Sequence, residues 1–370
     1  MSSQIYELFG FLTSDQSAEA MRHRKQCMCP FMGAECDGGG NRYQSFLHLN
    51  PTTDQKLVEF FNGRTAAIPA GVCSLKTSGK VWVVCPRRLF VLGKDNAHTR
   101  HVDFCENLLR RYSPLALSKK TGVWSEVRIM YDEQSEDESK DDDKSFNYAF
   151  DYIICPTSPK PLAEIAQEQD ISAHKLERSL NKNGYTLARR NGQIYVEEYP
   201  DGNPVIVEVM TSSTSGGNKS KGTTIQNAFR MAILGQPQDA PGINYRQVWA
   251  RMVSQLIVKS QIGKKWGGCT VWILQDALTN YISSTTDLNL RRLVSQAFKE
   301  INILTLRYLH NRPQESGVLP LEVDALYAGQ IPPIHDDTDF NRLLQAASIP
   351  SKQLLRAILL SKRPRTFILS

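Results

Sequence analysis

Four cysteines set in three short phrases constrain this chain more than any other feature. They read Cys29-Pro30-Phe31 followed by Cys36, then Gly71-Val72-Cys73, then Val84-Cys85-Pro86-Arg87-Arg88. Two sulfurs close together, a gap and two more match the way a small module gathers four thiolates around one metal ion. Their spacings, C-x6-C and C-x11-C, are wider than the usual finger loops. Free cysteines also pack well as small apolar groups. From spacing alone both readings stand, and Cys27, two residues before Cys29, is an alternative ligand.

The chain of 370 residues is long enough for a substantial core and two or three structural units. Met1 to Leu12 shows no secretory signal, and no stretch is apolar for long enough to span a bilayer. The expected compartment is the cytoplasm, with no membrane partner. There, eight cysteines point to metal or free thiols rather than disulfides. The net charge of +6 understates how basic the body is. Residues 132–143 hold eight acids against Lys140, and the rest of the chain has 43 bases and 30 acids, a net of +13. A basic body suits a polyanionic partner, although solubility also accounts for moderate charge. The acidic run reads as a solvated loop between two strands.

Residues 1–105 read as a small loop-rich module, and 106–370 as an α/β unit. Its early part predicts a helix, then strands at Glu126–Tyr131 and Phe146–Cys155, with Ser158–Pro161 as a linker whose prolines break the second strand. Over 160–199 come a short helix, a turn, a second helix capped by Ser172, and a hairpin around Asn191-Gly192. That is the order of a winged helix-turn-helix, with His174, Lys175 and Arg178 on the second helix. An ordinary helical hairpin packed on the sheet has the same order. Further on, the pattern predicts a strand at Val205–Met210, helices from Thr224 and over Asn244–Gly263, and a strand at Thr270–Leu274. Amphipathic helices follow at Asp287–Tyr308, near Phe340–Ala346, and at Lys352–Leu360.

The strand Val205–Met210 puts three valines on one face and Ile206, Glu208 and Met210 on the other, because side chains alternate across a strand. A glutamate in such an apolar run needs compensation, and a bound cation is one form of it. Asp151 enters the apolar run Phe150–Ile154 in the same way, and Glu126 opens the strand before it. Carboxylates on adjacent strands form a hard-oxygen site for Mg²⁺, which suits phosphodiester hydrolysis. Strand capping, or pairing with basic side chains, explains the same residues equally well.

Taken together, these residues resemble the NotI family of type II restriction endonucleases. The likeness runs in order from the cysteine phrases (Cys29, Cys36, Cys73, Cys85) through Glu126, Asp151 and the strand bearing Glu208 to the block Val248–Trp272. It implies a PD-(D/E)xK-like mixed sheet flanked by helices and an N-terminal module whose four cysteines hold one structural iron, a geometry that also accepts zinc. It further implies a Mg²⁺-dependent homodimer that cuts palindromic double-stranded DNA, with Glu126, Asp151 and Glu208 as the catalytic carboxylates. The chain departs from the pattern at Met210, where the family has glutamine and related nucleases have lysine. Lys219 or Lys221 is then the expected source of the missing donor. The stretch 160–199 reads as an insertion that alters target recognition. A DNA-binding regulator, or a decayed nuclease that binds without cutting, is the competing expectation.

Overall fold

The computed structural model describes residues 3–38, 46–92, 99–112, 114–115, 120–132, 145–214, 223–286, 289–309, 317–331 and 349–368. The acidic residues from 133 onward and the helix expected near Phe340–Ala346 lie outside them. Chain order begins β1 (Gln4–Leu8), β2 (Phe11–Leu12), α1 (Ala18–Lys25), β3 (Met28–Cys29), β4 (Ala34–Glu35), β5 (Phe46–Leu47), α2 (Gln55–Phe60) and β6 (Ile68–Pro69). It continues with β7 (Val72–Thr77), β8 (Lys80–Val83), α3 (Pro86–Leu89) and α4 (Arg100–Arg111). Strands β2, β1, β7 and β8 make a four-stranded antiparallel sheet in that order.

The remainder builds a mixed sheet. It runs β9 (Lys120–Asp132), β10 (Ser145–Pro161), α5 (Leu162–Glu168), α6 (Ala173–Lys182), β11 (Leu187–Arg190), β12 (Gln193–Pro200) and β13 (Val205–Met210). Then come α7 (Ile225–Ile233), α8 (Tyr245–Lys265), β14 (Cys269–Gln275), α9 (Asp276–Thr286), β15 (Ile301–Tyr308), β16 (Leu321–Gly329), α10 (Lys352–Leu360) and β17 (Arg365–Ile368). The strand order is β11-β12-β10-β13-β14-β15-β16, with β9 between β10 and β17. β13, β14 and β15 are parallel neighbours, and β10 and β16 flank them antiparallel.

The β-branched run of β13 suits a centre strand buried on both faces, and all six of its residues are buried. Val205, Val207 and Val209 pack with Leu108 and Leu109 of α4. On the other face, Ile206 packs with Ile262 of α8 and with Trp266 just past its end, and Met210 joins Val248, Met252, Phe229 and Trp272. The core around Met210 also takes Ile5, Leu8, Leu75 and Trp82 of the four-stranded sheet. Residues from 1–105 and from 106–370 therefore share one apolar interior. Among the described residues, no helix is long and apolar enough to cross a membrane.

Local signals set several boundaries. Asn191 and Gly192 take φ of 50° and 79°, the left-handed pair that a two-residue hairpin turn requires. Gly184 and Gly235 end α6 and α7 with positive φ. Two expectations are corrected. Ser158–Pro161 is not a linker, because β10 runs through it and pairs with β12. Pro159 sits at a register shift between Ser158 and Lys160, where its missing N–H costs no ladder bond. Nor is Asp287–Tyr308 one helix. α9 ends at Thr286, a 3-10 turn covers Leu290–Leu293, and Ile301–Tyr308 is β15. There, pairing with β14 on one side and β16 on the other overrides the helical spacing of the leucines.

Candidate active site and cysteine centre

Glu208 lies 2% exposed in the middle of β13. Antiparallel pairing aligns Tyr152 with Val207, so Asp151 stands one step further along, beside Glu208. The Val209 N–H donates to Asp151 Oδ2 at 2.8 Å and fixes the carboxylate against β13. From α8, Lys259 reaches down and places Nζ 2.6 Å from Glu208 Oε2. Its ammonium also lies 5.5 Å from the centroid of the Phe150 ring. Glu208 Oε1 is buried without a hydrogen-bond partner.

Glu126 is not at the start of its strand, as expected, but inside β9, with φ of 50°. A left-handed backbone at a glutamate within a strand is costly and collects at functional sites. Its side chain is exposed and meets Arg87 Nη2 at 3.2 Å, while its carbonyl accepts from Lys362 Nζ. Met210 is 6% exposed and mostly committed to the core. These residues line a cleft of about 590 Å³ between β9–β10 and α8, to which Arg87, Arg128 and Arg251 bring further positive charge.

Burial is the main force on Glu208, raising its pKa from 4.5 to about 8; Asp151 adds to the rise and Lys259 opposes it. Between those two values the folded chain holds a proton that the unfolded chain has lost. The stability from this group is therefore complete below pH 4.5 and disappears as pH rises towards 8. In chelator, denaturant midpoints are expected to fall over that window for wild type and to stay flatter for Glu208→Gln. Parallel pH profiles for the two would contradict this.

The four cysteines of the phrases come together. Cys29, Cys73 and Cys85 share a small buried cluster with Phe31, Val91 and Val102, and Cys36 packs against it. Burial raises each thiol pKa, and neighbouring sulfurs push those of Cys36, Cys73 and Cys85 up further. Backbone N–H groups are aimed at the sulfurs: Phe31 and Met32 at Cys29, Gly38 at Cys36, and Arg87 and Arg88 at Cys85. Gly10 N–H donates to Cys73 Sγ at 3.3 Å. Cys27 belongs to the larger core instead. Among the described residues, no three His, Cys, Asp or Glu side chains stand in metal-holding geometry. At the carboxylates the reason is visible, since Lys259 holds Glu208 and Arg87 holds Glu126.

The phrase Val84-Cys85-Pro86-Arg87-Arg88 links both sites. Cys85 enters the sulfur cluster, Arg87 turns to Glu126 and Asp37, and Arg88 is buried on Glu7. Lys219 and Lys221 lie outside the described residues. Lys259 went unread in the sequence although its spacing carried a signal. It falls seven residues after Met252 and three after Leu256, on the apolar stripe of α8, where a lysine demands a buried acid. The chain matches no protein-family model and no curated protein.

Proposed function

We propose that this chain is a Mg²⁺-dependent, sequence-specific endonuclease of restriction type that cuts double-stranded DNA as a cytoplasmic homodimer. The observation that carries this reading is the Glu208–Lys259 pair beside Asp151 in a cationic cleft. In this reading the mixed sheet is PD-(D/E)xK-like, and Lys259 does from a helix what Met210 cannot do from the strand. A thioether holds neither a water nor a phosphate oxygen strongly, whereas an ammonium holds both.

Asp151, Glu208 and Glu126 offer hard oxygen donors that fit Mg²⁺. Mg²⁺ would there activate a water and offset the charge of the scissile phosphate. Lys259, released from Glu208, orients the attacking water, while Arg128 and Arg251 receive the flanking phosphates. Arg87 sets the rotamer of Glu126. Incubation of the purified chain with plasmid DNA and Mg²⁺ tests the reading, which expects discrete fragments. Binding without fragments would favour a second reading, a DNA-binding regulator or decayed nuclease. The commitment of Met210 to the core is the observation in its favour.

A structural metal at the sulfur cluster is supported by the shared burial of Cys29, Cys73 and Cys85, by Cys36 packed against them, and by the amide N–H groups aimed at the sulfurs. Cys29, Cys36, Cys73 and Cys85 would hold one iron or zinc in a closed shell with no position left for water, so its role is structural. Protein purified without added metal is expected to carry about one such ion per chain, and Cys73→Ser to carry far less and to melt earlier. A fully folded wild type free of iron and zinc would remove the metal from the account.

A further inference from the structure

We propose that α5, α6 and the β11–β12 hairpin form a second contact for duplex DNA, with α6 in the major groove and the hairpin as a wing on the phosphates. The proposal rests on the nuclease reading only for its placement on the duplex being cut. DNA binding by this unit stands or falls by itself.

The unit has its own small interior. Ile165 and Ala166 of α5 meet Leu176 and Leu180 of α6, with Tyr185, Val196 and Tyr199 closing the cluster. The helices are joined through Asp170, whose φ of 52° turns the chain sharply, and Ser172 Oγ accepts from Lys175 N to start α6. At about 100° per residue, Arg178 points away from the midpoint of the buried Leu176 and Leu180. His174 and Lys175 flank it on the outward face, and all three are exposed. Among the described residues none of the three forms an ion pair. Glu177, the carboxylate of α6, is turned aside and half-buried. The exposed acids Glu164 and Asp170 sit on α5 and the turn, and Glu168 is occupied by Lys160 and Tyr199.

The hairpin tip adds Arg189 and Arg190 next to Asn191-Gly192. Arg190 is held by Glu197 at 2.6 Å, and Arg189 is exposed. A helix of exposed, uncommitted bases beside a basic wing matches a groove flanked by phosphates.

The unit is also rigidly tied to the cleft. β10 carries Asp151 and runs unbroken to Pro161, which caps α5. Ten residues of strand span roughly 33 Å, close to one turn of B-DNA. Tyr185 Oη donates to Leu359 O at 2.8 Å and accepts from Trp124 Nε1 at 3.2 Å, which anchors the unit to α10 and β9.

The test uses the full chain, a mixed-sequence duplex of about 40 base pairs long enough to span both contacts, and EDTA to prevent cutting. Wild type is compared with Lys175→Ala/Arg178→Ala/Arg189→Ala by fluorescence anisotropy at several salt concentrations. The triple variant is expected to bind at least about tenfold more weakly, with a log–log salt slope shallower by about 2–3. Its thermal melt should match wild type, since all three side chains are exposed. Unchanged affinity and slope would overturn the proposal, as would a wild type that prefers duplex RNA of equal length. A chain that binds through these residues but never cuts supports the proposal and sinks the nuclease reading. A chain that cuts, with its binding untouched by the triple substitution, does the reverse.

Discussion

Lys259→Met is expected to slow DNA cleavage by roughly three orders of magnitude while leaving DNA affinity within about threefold. The residue is 8% exposed and its ammonium stands 2.6 Å from Glu208 at the floor of the cleft. In the proposed reaction it serves the chemical step, and it lies too deep to contribute to the outer electrostatics that govern affinity. Methionine keeps the volume and removes the charge, so packing against Phe150 survives. A second substitution separates chemistry from structure. Met210 lines the same cleft from β13, so Met210→Lys in the Lys259→Met background returns an ammonium to the site from the strand. Recovery of about tenfold in rate is expected, short of wild type because the new lysine must leave the Phe229–Trp272 core. Equal cleavage by Lys259→Met and wild type would remove Lys259 from the chemistry.

The largest effect on stability is expected at the buried pair beside the sulfur cluster. Arg88 Nε lies 3.1 Å and 3.2 Å from the two carboxylate oxygens of Glu7, and its Nη2 donates to Leu319 O at 2.6 Å. Ser74 and Tyr308 hydroxyls donate to Glu7 Oε2 at 2.7 Å and 2.6 Å. The guanidinium also lies 5.1 Å from the centroid of the Phe31 ring and 4.9 Å from that of Tyr308. One carboxylate thereby ties β1, β7, α3 and β15 together, joining the four-stranded sheet to the mixed sheet. Glu7→Ala or Arg88→Ala leaves an unpaired buried charge and is expected to cost about 3–5 kcal/mol in urea unfolding. Glu7→Leu with Arg88→Met removes both charges at similar volume and should recover most of that loss. Single substitutions costing under about 1 kcal/mol would show that the network contributes little.

The alternation of β13, several helix starts, the hairpin turn and the strands that carry Asp151 and Glu208 were legible because each depends on local chemistry. The alternation in Val205–Met210 placed Glu208 on the face it occupies, and the caps at Ser172, Thr224 and Asn244 placed three helix starts. Ile301–Tyr308 was not legible, because its strand state is imposed by neighbours remote in sequence. Ser158–Pro161 failed for a related reason, since a bulge lets a strand absorb a proline. In the site, Asp151 beside Glu208 follows from antiparallel register, but the donor missing at Met210 depends on how α8 crosses the sheet. That crossing is a property of packing, and it alone brings Lys259 to Glu208. The same holds for Arg87, which reaches Glu126 from α3, two residues after Cys85 enters the sulfur cluster.

In the proposed reaction Glu208, with Asp151 and Lys259, performs metal-dependent cleavage. Wild type and Glu208→Ala, each incubated with plasmid DNA and Mg²⁺ and each assayed for duplex binding in EDTA, test it most directly. Discrete fragments from wild type, none from Glu208→Ala, and duplex binding by both are expected. Cleavage by Glu208→Ala at the wild-type rate would remove Glu208 from the reaction, and a wild type that binds DNA and cuts none of it would remove the reaction itself.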